Sequence, residues 1–330
     1  GRFDPPARKI YIKFNRMNLV KSSKEKLLKS LFKFFSLMCR TSSLVTGKGN
    51  KPANQLTSFL AGLVFLIVHG YVPRFRQPRS FSEKIFNRML FSRNRKWIVI
   101  SDKLQLRECI RQRIGNTFLM ELIWSGSNPE DIPFEMLPQR YVIKMNHGCG
   151  YNILIDGKTS MSLNEIKLKL NRWKLENYCQ DKNQGLEWAY KNIKPMIMIE
   201  EFLEENGRPP LDYKFFCFSG RVEYLQISFD RFGDASERIL DRNFNVLDTY
   251  NGVRLCDGPI KRPENYDEMI KVAEKLSAGF DFIRVDLYNV DGKIYFGELT
   301  CYPAGGLAAF VPRKWDFIFG EKWILENKYK

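Results

Sequence analysis

Residues 282–300 read Phe-Ile-Arg-Val-Asp-Leu-Tyr-Asn-Val-Asp-Gly-Lys-Ile-Tyr-Phe-Gly-Glu-Leu-Thr, two alternating runs around Val290-Asp291-Gly292. Alternation on either side of an Asp-Gly step is the pattern of a β-hairpin. A three-residue turn, with Gly292 left-handed, pairs Asn289 with Lys293. It then sets Glu298 opposite Arg284, with Asp286 one diagonal step away and Thr300 beyond, all on one sheet face. A two-residue Asp-Gly turn would instead put Asp286 and Glu298 on opposite faces. In the first register one face carries a cation and two carboxylates. Two carboxylates without histidine suit a hard ion such as Mg²⁺, which is held by one or two carboxylates plus substrate phosphates. The ordinary alternative is the solvated face of a half-exposed hairpin.

Upstream, Tyr141-Val-Ile-Lys144-Met-Asn-His147-Gly148-Cys-Gly150-Tyr-Asn places a lysine inside an apolar strand, where its charge calls for an anion. Gly148 and Gly150 permit close approach of the backbone to a phosphate, although a Lys with a G-x-G loop also describes a plain turn and is not a Walker loop. His147 beside them reads as a hydrogen-bonded structural residue. Met196 to Leu203, IMIEEFL after its first residue, is an apolar strand that ends in Glu200 and Glu201. Such an edge can offer its backbone to a purine, or simply leave the core. Asp212 to Phe218, DYKFFCF, is a further strand in which Lys214 alternates with aromatics.

The rest of the chain frames these strands. Ser80 with Glu83 and Ser162 with Glu165 are capping boxes, and Asp102 is an N-cap for a helix reaching Gly115. A helix from about Pro263 to Ala278 stops at Gly279. The apolar run Phe59 to Val68 is too short to span a bilayer and reads as a buried helix. Helices and short strands in this order predict an α+β fold. The 330 residues carry 53 Lys and Arg against 37 Asp and Glu. Residues 1–51 hold 13 of these cations and only Asp4 and Glu25 as acids, so most of the excess belongs to an N-terminal arm and a nucleic-acid partner is not expected. Within the arm, Leu27, Leu28, Leu31, Phe34, Phe35 and Met38 recur at helical spacing between lysines, behind a Ser22/Glu25 box. Seven scattered cysteines without a C-x-x-C and only two histidines argue against a disulfide framework, a zinc site or a His-based triad, and fit a reducing cytosol.

Taken in order, Asp102-Lys103, VIKMNHGCGYN, IMIEEFL, DYKFFCF, IRVDLY and FGELT resemble the ATP-grasp superfamily, and within it the TupA-like group associated with teichuronopeptide and other polysaccharide synthesis. The resemblance implies two α+β subdomains clamping ATP behind a helical N-terminal region. The expected division is an arm and linker (1–50), a helical region (51–140), a lid subdomain (141–210) and a C-terminal subdomain bearing the metal hairpin (211–330). It also implies that Lys103 and Lys144 hold the α- and β-phosphates, that His147, Gly148 and Gly150 lie in a loop closing over the triphosphate, and that Glu200, Glu201 and Leu203 belong to an adenine hinge. Asp286 and Glu298 would be the Mg²⁺ ligands. Arg284 would steady the transferring phosphoryl group, and Lys214 would lie near the γ-phosphate or acceptor. Arg231 and Arg238 are candidates to bind an acidic acceptor. Where many ATP-grasp proteins carry Asn two residues after the metal Glu, this chain has Thr300.

The activity implied is carboxylate–amine ligation through an acyl phosphate, joining a sugar uronate to an amino acid or amine. A sugar kinase on the same scaffold and a non-catalytic adaptor of a polysaccharide assembly complex are the rival readings. The amphipathic arm suggests a cytoplasmic protein held peripherally at the inner face of an anionic membrane.

Overall fold

The computed structural model describes residues 55–157, 159–181, 186–205, 207–229, 235–252, 254–256 and 258–325. The basic arm with its amphipathic pattern lies outside them, as does Arg231. Helix α1 (Gln55–His69) carries the long apolar run, but it is buried on one side only. Leu60, Ala61, Val64 and Phe65 enter the core, whereas Leu56, Phe59 and Leu66 face outward, which corrects the expectation of a buried helix.

Helix α2 (Phe81–Phe91) opens on the expected capping box, Ser80 Oγ accepting from the Glu83 amide at 3.1 Å and Glu83 Oε2 from the Ser80 amide at 3.0 Å. Glu83 also accepts the amides of Arg74 and Arg79 at 2.8 and 2.7 Å, so this buried carboxylate closes the turn that leads into the helix. Helices α3 (Lys96–Ser101) and α4 (Lys103–Ile114) meet at Asp102, whose Oδ1 caps α4 through the amides of Leu104 and Gln105. Gly115, with φ 93°, ends α4.

The helical stretch does not extend to residue 140. Strand β1 (Leu122–Gly126) joins β2 (Tyr141–Met145), β3 (Asn152–Ile155) and β4 (Ile197–Glu201) in a four-stranded antiparallel sheet of order β1-β4-β2-β3. The smaller subdomain therefore begins near residue 122. Helix α5 (Leu163–Leu175), started by Ser162 and Glu165, lays Ile166, Leu170 and Trp173 into one cluster with Ile143, Ile153 and Ile199. The short α6 (Tyr178–Asp181) follows.

The second sheet is built from β5 (Asp212–Phe218), β6 (Arg221–Phe229), β7 (Ser236–Asp241) and, after the short β8 (Tyr250–Asn251), β9 (Arg254–Leu255). Helix α7 (Tyr266–Ser277) then leads into β10 (Phe282–Val290) and β11 (Lys293–Thr300). The order is β11-β10-β5-β6-β7-β9, antiparallel except for β7 with β9. Strand β12 (Phe310–Val311) pairs with β8 before the last described helix, α8 (Lys314–Lys322).

Alternation along β5 gives the two sheet faces different cores. Phe215 stacks on Tyr266 of α7, whereas Phe216 and Phe218 meet Phe81 of α2 and Phe319 of α8. The helical N-terminal region, residues 55–114, thus also completes the core of the larger sheet. Arg88 of α2 fixes this layer. Its guanidinium lies 4.3 Å from the ring centroids of both Trp97 and Trp323 and pairs with Asp281 at 2.8 Å. It also donates to the carbonyl of Cys301 at 3.0 Å, next to the end of β11.

Candidate functional site

The hairpin turns through two residues, not three: Asp291 and Gly292 have φ of 50° and 78°, and Val290 pairs directly with Lys293. Asp-Gly accommodates this left-handed pair with little strain, and the resulting turn matches the twist of the strands. Continued along β11, that register would set Glu298 opposite Val285. A β-bulge intervenes between Phe296 and Glu298, and Asp286 becomes the direct partner of Glu298, with Arg284 opposite Thr300. The bulged residue is Gly297, where an added Cβ would stand 3.0 Å from both the Asp286 carbonyl oxygen and the Tyr288 ring. The expected turn was wrong, and the bulge restores the shared face that it had been invoked to explain.

That face continues across the sheet. Lys214 of β5 is the cross-strand neighbour of Asp286, and Asp212 is that of Ser228. Arg284 holds Asp286 bidentately, Nε to Oδ1 at 2.7 Å and Nη2 to Oδ2 at 2.6 Å, and donates to Thr300 Oγ1 at 3.1 Å. Burial opposes the charge on Arg284, but Asp286, with Glu298 and Asp212 behind it, raises its pKa and keeps it cationic. Lys214 donates to Asp212 at 2.6 Å and to Ser228 Oγ at 2.7 Å.

The smaller sheet supplies a second cluster. Lys144 Nζ lies 2.6 Å from Glu200 Oε2, and Arg107 of α4 meets the other oxygen of this buried carboxylate at 2.5 Å. The adjacent Glu201 accepts the Glu121 amide at 2.9 Å, and Leu203 lies just past the end of β4, where the chain leaves the smaller sheet for the larger. Lys103 spans the two sheets: its Nζ donates to the Gly148 carbonyl at 2.6 Å and approaches Glu298 Oε1 at 3.7 Å. Asn146 keeps this junction in register, its side chain bonding Asp102, the Lys194 carbonyl and the Met196 amide at 2.9, 3.1 and 2.7 Å.

Aromatic side chains close around the glycine loop. An added Cβ at Gly148 would stand 2.6 Å from Tyr151 and 2.7 Å from Tyr178, so the residue is small because two rings cover it. Gly150 has φ 78° and makes the turn. His147 is buried beside Tyr151, with Nε2 spent on the Trp173 carbonyl at 3.1 Å. Burial holds its pKa below the ordinary value, so it is a neutral structural imidazole and not a cation for phosphate.

One further expectation changes. Arg238 pairs with Ile227, on the sheet face opposite Lys214 and Asp286, and does not join the cluster. Glu187, which nothing in the local sequence singled out, does adjoin it. Burial, reinforced by Glu298, pushes its carboxyl up to about 8. Its Oε1 lies 3.2 Å from where a Cβ on Gly305 would be, in the turn that follows β11. Arg107 was also missed, because a helical arginine carries no signal of its partner 93 residues away.

The donor chemistry fits Mg²⁺. Asp286 and Glu298 are the facing carboxylates that would hold it, although both oxygens of Asp286 are here engaged by Arg284, and among the described residues no group of three or more His, Cys, Asp or Glu is placed to hold a metal.

No curated protein matches the chain. Solved structures with a similar arrangement include a D-alanine–D-alanine ligase from Bacillus anthracis complexed with ATP (15% identity, TM-score 0.36, covering 62% of this chain and 55% of that one). A D-alanine–D-alanine ligase from Helicobacter pylori (14%, 0.36, 69% and 62%) and an L-amino acid ligase from Bacillus licheniformis (15%, 0.39, 63% and 44%) are others. The chain thus spans about half the length of the first of these. The family described as TupA-like ATPgrasp matches residues 83–324, from the capping glutamate of α2 to just beyond α8 and so across both sheets and the cations between them, and the chain belongs to that family.

Proposed function

We propose that the protein is an ATP-dependent carboxylate–amine ligase that joins a sugar uronate to an amino acid or amine during cell-surface polysaccharide synthesis. Family membership supports the ligase class. The observation that carries the reading is the row Lys214, Arg284, Asp286 and Glu298 on one sheet, linked by Lys103 to the loop after Lys144 on the other. Phosphoryl transfer needs positioning and charge neutralisation more than covalent chemistry, and this row supplies both.

Lys103 and Lys144 take the α- and β-phosphates, and the backbone past Glu200 and Glu201 to Leu203 takes the adenine. Lys214 lies toward the γ-phosphate. Asp286 and Glu298 would hold Mg²⁺, which supplies charge neutralisation on the polyphosphate. An oxygen of the acceptor carboxylate attacks the γ-phosphorus and ADP departs, leaving an acyl phosphate beside Arg284. The amine then attacks the acyl carbon, and phosphate leaves with that oxygen while the nitrogen gives up a proton. Arg284, bound to Asp286 through two nitrogens, would steady the developing oxyanion. The basic arm would keep the enzyme at an anionic membrane surface.

Labelling the acceptor carboxylate with ¹⁸O tests the route. One label is expected in released phosphate, found by screening uronic acids against amino acids for ADP release. A phosphorylated sugar without free phosphate would establish the kinase instead.

A further inference from the structure

We propose that the outer face of α1 and the turn after it form an anionic-membrane docking surface, separate from the basic arm. The proposal rests on the reading that the enzyme works at such a membrane. Leu56, Phe59 and Leu66 lie along one side of α1 at helical spacing and are 44%, 62% and 38% exposed. Gly62 stands between the last two, and Pro73 Cγ is 3.9 Å from where its Cβ would be, so the turn bearing Val72, 75% exposed, abuts the same stripe.

Cations rim it. Arg74, Arg76 and Arg79 are exposed along the turn, and Arg313 reaches over Tyr71 with its Nη2 3.4 Å from the Cβ position of Gly70. Of the acids on the adjoining helices, Glu83 and Asp316 are buried, with their oxygens bonded to backbone amides and to Tyr71, and the exposed Glu321 stands at the far end of α8. From residue 26 to residue 82 the sequence contains no Asp or Glu but nine Lys or Arg.

That charge distribution selects the occupant. A second copy would bring one cationic rim against another, and the arm, with 13 cations and two acids in residues 1–51, repels the same rim. An anionic bilayer attracts it and accepts the apolar stripe, the arrangement of an interfacial helix. The docking is peripheral: α1 has 15 residues, and among the described residues no helix is long and apolar enough to cross a membrane.

Sedimentation of the full chain with vesicles of phosphatidylcholine and phosphatidylglycerol (about 70:30) tests this. The wild type should pellet with them and not with pure phosphatidylcholine. Phe59→Glu should lower the partition coefficient at least fivefold and Arg74→Glu with Arg76→Glu at least threefold, without change in melting temperature or in molar mass by light scattering. Binding unchanged in Phe59→Glu overturns the proposal, as does equal binding of the wild type to neutral vesicles. A wild-type dimer that Phe59→Glu dissolves would assign the face to a second copy. A marked fall in melting temperature would assign it to another part of the chain. A Leu31→Glu, Phe34→Glu variant in the arm separates the two surfaces. If only this variant loses binding, the α1 proposal fails and the arm reading stands; if only Phe59→Glu does, the reverse holds.

Discussion

Asp286 and Glu298 face each other across β10 and β11 because Gly297 inserts one extra residue between the turn and the carboxylate. Without it the two side chains would lie on opposite sides of the sheet. Gly297→Ala should therefore cost about 1–3 kcal/mol of stability, read from urea unfolding, and raise the Mg²⁺ concentration needed for half-maximal turnover. An alanine variant with native Mg²⁺ dependence would show that the bulge does not position the pair.

Glu298→Gln keeps the shape and hydrogen-bonding reach of the side chain while removing its charge. Turnover should fall at least 100-fold, and circular dichroism and melting temperature should remain close to the native values. Native turnover would remove Glu298 from the site.

Glu200 is buried between Lys144 and Arg107. Replacing it with Gln leaves two cations without their carboxylate, and a loss of about 3 kcal/mol is expected in denaturant titration. Lys144→Met in the same background should restore part of it, which a double-mutant cycle would register as coupling.

Glu187 gives the protein a pH dependence of stated sign. Its folded pKa, about 8, is above the ordinary Glu value of 4.5, so the folded state binds the proton more tightly than the unfolded chain. The stabilisation is complete below about pH 4.5 and is lost as pH rises toward 8, with a slope of at most about 1.4 kcal/mol per unit. Glu187→Gln should flatten unfolding free energy between pH 5 and 8. A slope identical to wild type would place the titrating group elsewhere.

Arg88 should not tolerate lysine. A lysine cannot lie flat between Trp97 and Trp323 while bonding both Asp281 and the Cys301 carbonyl. Arg88→Lys is expected to lower stability by about 3 kcal/mol, measured by thermal unfolding.

Features written in neighbouring residues were legible from the chain. Ser80 with Glu83, Ser162 with Glu165, Asp102 and Gly115 each mark a helix end through bonds spanning two to four residues. The strands carrying Lys144, Lys214, Asp286 and Glu298 announced themselves by alternation. What failed depended on distant partners. Strand β1 has no clear alternation of burial and exists because β4 needs a neighbour. The bulge at Gly297 is set by contact with Asp286 and Tyr288, and a glycine there reads equally well as ordinary strand. His147 read from the chain as a hydrogen-bonded structural residue, but its partner, the Trp173 carbonyl 26 residues away, did not.

Each of four cations around the two clusters already has an anionic partner: Lys144 has Glu200, which Arg107 shares, Lys103 has Glu298, Lys214 has Asp212 and Arg284 has Asp286. Under the proposed function, ligand entry would therefore be an exchange of partners. A small ion such as chloride or inorganic phosphate must displace a tethered carboxylate with a single contact, and the tethered group returns at high effective concentration. A polyphosphate would engage Lys103, Lys144 and Lys214 at once and displace their partners together, while Arg284 keeps Asp286. In the proposed site, self-pairing would act as a filter for multidentate anions, and freeing one lysine by Asp212→Asn would loosen that filter toward simple phosphate.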